Sequence, residues 1–171
     1  LGYYHPPRGT LFRCVEAEPF PPVLERLVKK MEGRVRQLFP AAFVPRGWTL
    51  NTCLVNLYGT REIDGKIVDT ARVGEHKDYE PGPVASLSLG DRALFQFVSS
   101  RGHGQQSQVA LQQWLEDGSL QIFGGDKWKR HLFHRVQRVE KKYTGTFPSQ
   151  VTRFKTRRVN FTFRFVPPQD I

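Results

Sequence analysis

The spacing of hydrophobic positions changes character once along this chain. Between 21 and 38, Val23, Leu24, Leu27, Val28, Met31, Val35 and Leu38 recur at helical intervals with Arg and Lys between them, and Pro21-Pro22 stands at the head of the run. That spacing predicts a helix over 21–38, ended by Pro40. From Thr49 onward the helical period is lost. Short runs rich in Val, Leu and Phe follow, at 52–58, 84–89, 93–98, 108–115, 119–123, 131–139 and 159–166, separated by Gly, Asp and Pro. Each run predicts a strand. Many short strands with Gly-rich turns predict a barrel or jelly roll, mainly β in class, with the early helix as a buttress.

A length of 171 residues suits one domain that can bury a core without covalent staples. The 39% hydrophobic content and 13 Phe exclude a disordered chain, and no apolar run approaches the roughly 20 residues of a membrane helix. Cys14 and Cys53 are too few for a disulfide framework and too far apart for a CxxC pair, which favours a reducing compartment, nucleus or cytoplasm. The opening Leu1-Gly2-Tyr3-Tyr4-His5-Pro6-Pro7 lacks an initiator Met and a signal sequence, so 1–171 is expected to be one domain cut from a longer protein.

Charge is unevenly spread. The net +10 arises after Asp126: residues 1–126 carry 14 basic and 14 acidic side chains, and residues 127–171 carry 12 basic and 2 acidic. This asymmetry predicts an electrostatic footprint for a polyanion such as DNA or RNA. Lys127, Lys129, Arg130, Arg135, Arg138, Lys141, Lys142, Arg153, Lys155 and Arg157 supply cations there, with Trp128, Tyr143 and Phe147 interleaved for base stacking.

His76-Lys77-Asp78 spaces an imidazole and a carboxylate two residues apart, so in extended backbone both leave the same face. With one distant His, such a pair occupies one face of an octahedral iron and leaves positions for a cosubstrate and oxygen. His134, within Leu132-Phe133-His134-Arg135-Val136, is the expected third ligand, and His131 is its competitor. Glu80, two residues past Asp78, is a candidate for supporting the site or recognising substrate.

The last predicted strand sharpens this. Arg158, Asn160, Thr162 and Arg164 alternate with Val159, Phe161, Phe163 and Phe165, so period-two geometry sends four polar groups to one face and four apolar groups to the other. Should the apolar face be buried elsewhere, two arginines enter a cavity. Buried guanidinium groups require anions, and two along one strand suit the two ends of a dicarboxylate.

Asn56-Leu57-Tyr58, His76-Lys77-Asp78 with Glu80, the stretch Pro83-Val84-Ala85-Ser86-Leu87-Ser88-Leu89-Gly90, His134, and Arg158-Val159-Asn160-Phe161-Thr162-Phe163-Arg164 together, in order, resemble the AlkB family of iron(II)/2-oxoglutarate dioxygenases. The resemblance implies a double-stranded β-helix core, Fe(II) held by His76, Asp78 and His134, and 2-oxoglutarate and O2 as cosubstrates. It implies Arg164 and Asn56 near the keto acid end of 2-oxoglutarate, and Arg158 with Tyr58 and Asn160 at the distal carboxylate. It also implies that Tyr3 stacks on a flipped base, with His76 covering the other side.

The expected reaction is oxidative demethylation of N-alkylated bases in single-stranded or flipped-out DNA or RNA by a monomeric enzyme, releasing succinate, CO2 and formaldehyde. Tyr3, Glu80, Lys141, Lys142 and Tyr143 are the expected substrate contacts. The rivals are the same oxidation of a protein side chain and a nucleic-acid-binding module with a vestigial metal site. Intact His76, Asp78, His134, Arg158 and Arg164 speak against the latter.

Overall fold

Two prolines begin the first helix of the computed structural model, which describes residues 18–69, 73–99, 107–137 and 154–167. Helix α1 (Pro22–Leu38) opens where the Pro21 carbonyl accepts from the Leu24 and Glu25 amides at 2.8 and 3.1 Å. Pro22 costs nothing at this position, because the first-turn amides have no partner within a helix. Val28, Met31 and Val35 form the buried stripe, each contributing roughly 1.5–3 kcal/mol by leaving water. The chain turns extended at Phe39, and Pro40 has no amide hydrogen to continue the ladder.

Among the described residues nine strands follow: β1 (Thr52–Ile63), β2 (Lys66–Asp69), β3 (Val73–His76), β4 (Val84–Gly90), β5 (Ala93–Val98), β6 (Val109–Leu115), β7 (Ser119–Phe123), β8 (Phe133–Gln137) and β9 (Phe154–Arg164). They form two antiparallel sheets, ordered β2-β1-β9-β4-β7 and β3-β8-β5-β6. Val84 and Phe123 of the larger sheet share one core cluster with Phe95, Phe97 and Leu115 of the smaller, so the sheets pack face to face. On the far side of the larger sheet, Ala85 and Phe163 pack with Val28, Met31 and Val35. The fold is thus a jelly roll with a helix buttressing its larger sheet, as expected.

Several boundaries differ from the predicted ones. β2 and β3 were not predicted. Ile63 pairs with Lys66 across Asp64-Gly65, whose φ of 49° and 72° mark a two-residue hairpin, and the polar composition of 60–69 hid its strands. β9 begins at Phe154 rather than 159, because its polar first half pairs with the extension of β1, from Thr52↔Arg164 to Arg61↔Phe154. β8 begins at Phe133 because Lys127–His131 forms a single π-helical turn. Between Tyr58 and Gly59 the β1–β9 register shifts, and a Cβ at Gly59 would collide with the Lys155 carbonyl.

Candidate active site

The register of the smaller sheet sets two histidines side by side. His76, the last residue of β3, is the direct partner of His134 in β8, and their rings lie 4.1 Å apart. Asp78 follows in the loop, with Oδ2 3.5 Å from His134 Nε2. The candidate ligand atoms of His76, Asp78 and His134 all lie within 4.8 Å of one another, and no other such group of His, Cys, Asp or Glu forms among the described residues. His131 stands exposed on the π-helical turn, outside this group, so the geometry selects His134 over its competitor.

Each ligand is oriented by its surroundings. His76 Nδ1–H donates to the Gly74 carbonyl at 2.8 Å, which leaves Nε2 as the lone pair. His134 is buried, stacked on Phe95 at 5.5 Å and edge-on to Phe123 at 5.4 Å. Burial, then the neighbouring His76, pushes its pKa down to about 4, so the ring is a neutral donor near pH 7. Asp78 Oδ1 accepts from Arg164 Nη2 at 2.6 Å and Nε at 3.0 Å. Burial raises the Asp78 pKa, but the Arg164 guanidinium and His134 outweigh it and hold the carboxyl below its ordinary value. Two imidazoles and one carboxylate fit a divalent iron.

At the other end of the same β9 face stands Arg158, 4% exposed. Its guanidinium carbon lies 4.9 Å from the centre of the Tyr58 ring, and Nη2 donates to Ser88 Oγ at 3.0 Å. Its Nε is buried with no hydrogen-bond partner, and no carboxylate among the described residues pairs with it. A buried cation with a free donor beside a phenol fits a carboxylate ligand, the chemistry 2-oxoglutarate brings. Burial depresses the Arg158 pKa and raises that of Tyr58.

Asn160 takes a different part. Its amide donates to Ser86 Oγ at 2.8 Å and the Leu87 carbonyl at 3.0 Å, tying β9 to β4, while its Oδ1 accepts from Thr162 Oγ1 at 2.9 Å. Asn56 lies opposite Asn160 in the β1–β9 ladder. Glu80 Oε2 is 3.6 Å from Arg164 Nε.

The basic C-terminal quarter is not one free cationic face. Arg135 pairs with Glu75 at 2.7 Å, and Arg157 is buried between Asp91 at 2.9 Å and Asp69 at 3.2 Å. Lys129 is buried, donating to the carbonyls of Glu80 and Gly82, the latter at 3.0 Å. Desolvation lowers its pKa to about 8, against the pull of Asp78 and Glu80. Lys127, Arg130 and Lys155 remain exposed. Tyr3, Lys141, Lys142 and Tyr143, with Arg138, Phe147 and Arg153, lie outside the described residues.

Sequence reading missed Lys129 as a brace for the loop carrying Asp78 and Glu80, because it sits in a charge run. It also missed Ser88, although Val84, Ser86 and Ser88 alternate legibly toward the inner face.

Comparison with known proteins agrees with this geometry. The profile described as the 2OG-Fe(II) oxygenase superfamily matches residues 8–164. A solved structure titled "The structure of OsALKBH1" superposes with a TM-score of 0.51 at 25% identity, covering 85% of this chain. This chain spans 66% of the length of that one, just under two thirds. No curated protein matches it by sequence. With a His-Asp-His cluster at one end of β9's inner face and a buried arginine at the other, the chain belongs to the 2OG-Fe(II) oxygenase superfamily as an AlkB-like member.

Proposed function

We propose that this chain is a single-domain, Fe(II)- and 2-oxoglutarate-dependent dioxygenase that oxidatively removes N-linked alkyl groups from bases of DNA or RNA. The observation that carries it is the inner face of β9, where Arg164 grips the ligand Asp78 and Arg158 offers an unpartnered Nε. His76, Asp78 and His134 hold the iron. Arg158 and Tyr58 take the distal carboxylate of 2-oxoglutarate, Arg164 and Asn56 lie toward its keto acid end, and Asn160 and Ser88 set the pitch of β9 against β4. Bound iron and cosubstrate supply the oxidising power, and the chain supplies position.

Likeness to an AlkB homologue and the cationic surplus of the last quarter support nucleic acid over peptide as substrate. Glu80, 3.6 Å from Arg164, is the proposed reader of the target base. Tyr3, Lys141, Lys142 and Tyr143 belong to the same proposal as contacts to the strand. Among the described residues no helix is long and apolar enough to cross a membrane, and the proposed setting is nucleus or cytoplasm, with a monomeric enzyme.

The test is incubation with iron, 2-oxoglutarate and oxygen against pools of methylated DNA, RNA and peptides, read by mass spectrometry. Loss of methyl groups from oligonucleotides with matching succinate supports the reading. Oxidation confined to peptides, or succinate without oligonucleotide demethylation, overturns it.

A further inference from the structure

A cavity of about 500 Å³ opens onto the metal ligand Asp78, and its walls include Lys77, Tyr79, Glu80, Lys129 and Arg130. Three acids line it: Asp78 accepts two bonds from Arg164, Glu80 lies 3.6 Å from the same guanidinium, and Asp126 lies 3.5 Å from Arg130. Of the other cations on the wall, Lys77 has no carboxylate partner among the described residues, and the Arg130 pair with Asp126 is open to solvent.

Lys77, between the two ligands of the His76-Lys77-Asp78 motif, is held in place. Its Nζ donates to the Arg130 carbonyl at 2.6 Å and stands 4.4 Å from the centre of the Phe133 ring. One carbonyl uses one of three ammonium donors, and among the described residues no carboxylate pairs with Lys77. Arg130 leaves its own side chain in solvent. Its only carboxylate among the described residues is Asp126 at 3.5 Å, and the two side chains are 79% and 68% exposed, a pair an anionic ligand displaces at little cost. Tyr79, 76% exposed between Asp78 and Glu80, adds an aromatic face at the same opening.

We propose that Lys77 and Arg130 form a phosphate clamp at the mouth of this cavity, gripping the phosphodiester that flanks the target nucleotide. The proposal rests on the nucleic-acid reading above and names how that substrate is anchored. A cation pinned by a backbone carbonyl and a ring loses less freedom on meeting a phosphate than a solvated lysine does, and Arg130 adds a planar fork suited to two phosphate oxygens. The clamp anchors the strand without reading its sequence, which leaves the choice of base to the pocket beside the metal.

The test uses the full chain loaded with Mn(II) and 2-oxoglutarate, binding a single-stranded oligonucleotide with one N-methylated base, followed by fluorescence anisotropy. A second oligonucleotide carries uncharged methylphosphonate linkages on both sides of that base. Lys77→Gln and Arg130→Gln are each expected to weaken binding about tenfold at low salt and to flatten the log–log salt dependence by about 0.7. The methylphosphonate should weaken binding to the wild type, yet leave the Lys77→Gln/Arg130→Gln double variant unmoved. If the double variant loses as much affinity as the wild type on that substitution, the flanking phosphates are held elsewhere and the clamp is wrong. Wild-type binding and demethylation with both variants at wild-type affinity overturns the clamp alone. Absence of wild-type oligonucleotide binding at low salt, with an acidic peptide bound instead, overturns the nucleic-acid reading and the clamp with it.

Discussion

Arg164 holds one oxygen of Asp78 and turns the other toward His134: both guanidinium bonds, at 2.6 and 3.0 Å, fall on Oδ1, and Oδ2 lies 3.5 Å from His134 Nε2. One strand-end arginine thus fixes the rotamer of a metal ligand 86 residues away. Asp78→Ala should abolish succinate production, because it removes both a ligand and the only anionic charge of the triad. Arg164→Lys keeps the charge but loses the two-pronged grip. It should weaken metal affinity about tenfold or more, since partners that orient metal ligands typically count for 10–100-fold. Titration with Co(II), followed by its visible absorption, checks this, and wild-type affinity in Arg164→Lys would show that Asp78 needs no such brace.

His134 and His131 make a paired control. His134→Ala should abolish turnover and Co(II) binding, while His131→Ala, exposed on the π-helical turn, should retain both. The reverse pattern would move the third ligand to His131.

At the other end of β9, Arg158→Lys should raise the KM for 2-oxoglutarate at least tenfold while leaving Co(II) affinity at the wild-type value. Lysine preserves the charge, but it cannot reproduce a fork held against Tyr58 and Ser88. An unchanged KM would mean that the inner face of β9 does not receive the distal carboxylate.

Acid should destabilise the metal-free protein through His134. Its folded pKa of about 4 lies below the ordinary 6.5, through burial and then His76. Between those values the unfolded chain binds a proton that the fold excludes. Stability therefore falls as pH drops from about 6.5 toward 4, by on the order of 3 kcal/mol from this residue. Asp78, whose carboxyl is depressed, adds a loss in the same direction at lower pH, as it protonates. Urea midpoints at pH 7 and pH 4.5 measure the drop, and His134→Gln should make it shallower. Equal slopes in the two proteins would show that His134 is not buried as a neutral ring.

Local periodicity already determined much of this molecule. Val28, Met31 and Val35 recur at helical spacing because one stripe of α1 must face the larger sheet. Arg158 to Arg164 alternate with apolar residues because a strand sends neighbours to opposite faces. The HxD spacing and the RxNxTxR face were legible for the same reason: each function is carried by residues close in sequence, whose relative direction the backbone alone dictates.

Contacts between distant segments were decided only by the tertiary structure. His134 rather than His131 meets His76 because of the β3–β8 register, which pairs residues 58 apart. Sequence showed twelve cations in the last quarter, but not that Arg157 is spent on Asp91 and Asp69, Arg135 on Glu75 and Lys129 on backbone carbonyls. A charge in sequence carries no address. Its partner is whatever the fold brings within about 4 Å, and that separates a buried brace such as Lys129 from a cation such as Arg130, whose pair with Asp126 stays in solvent.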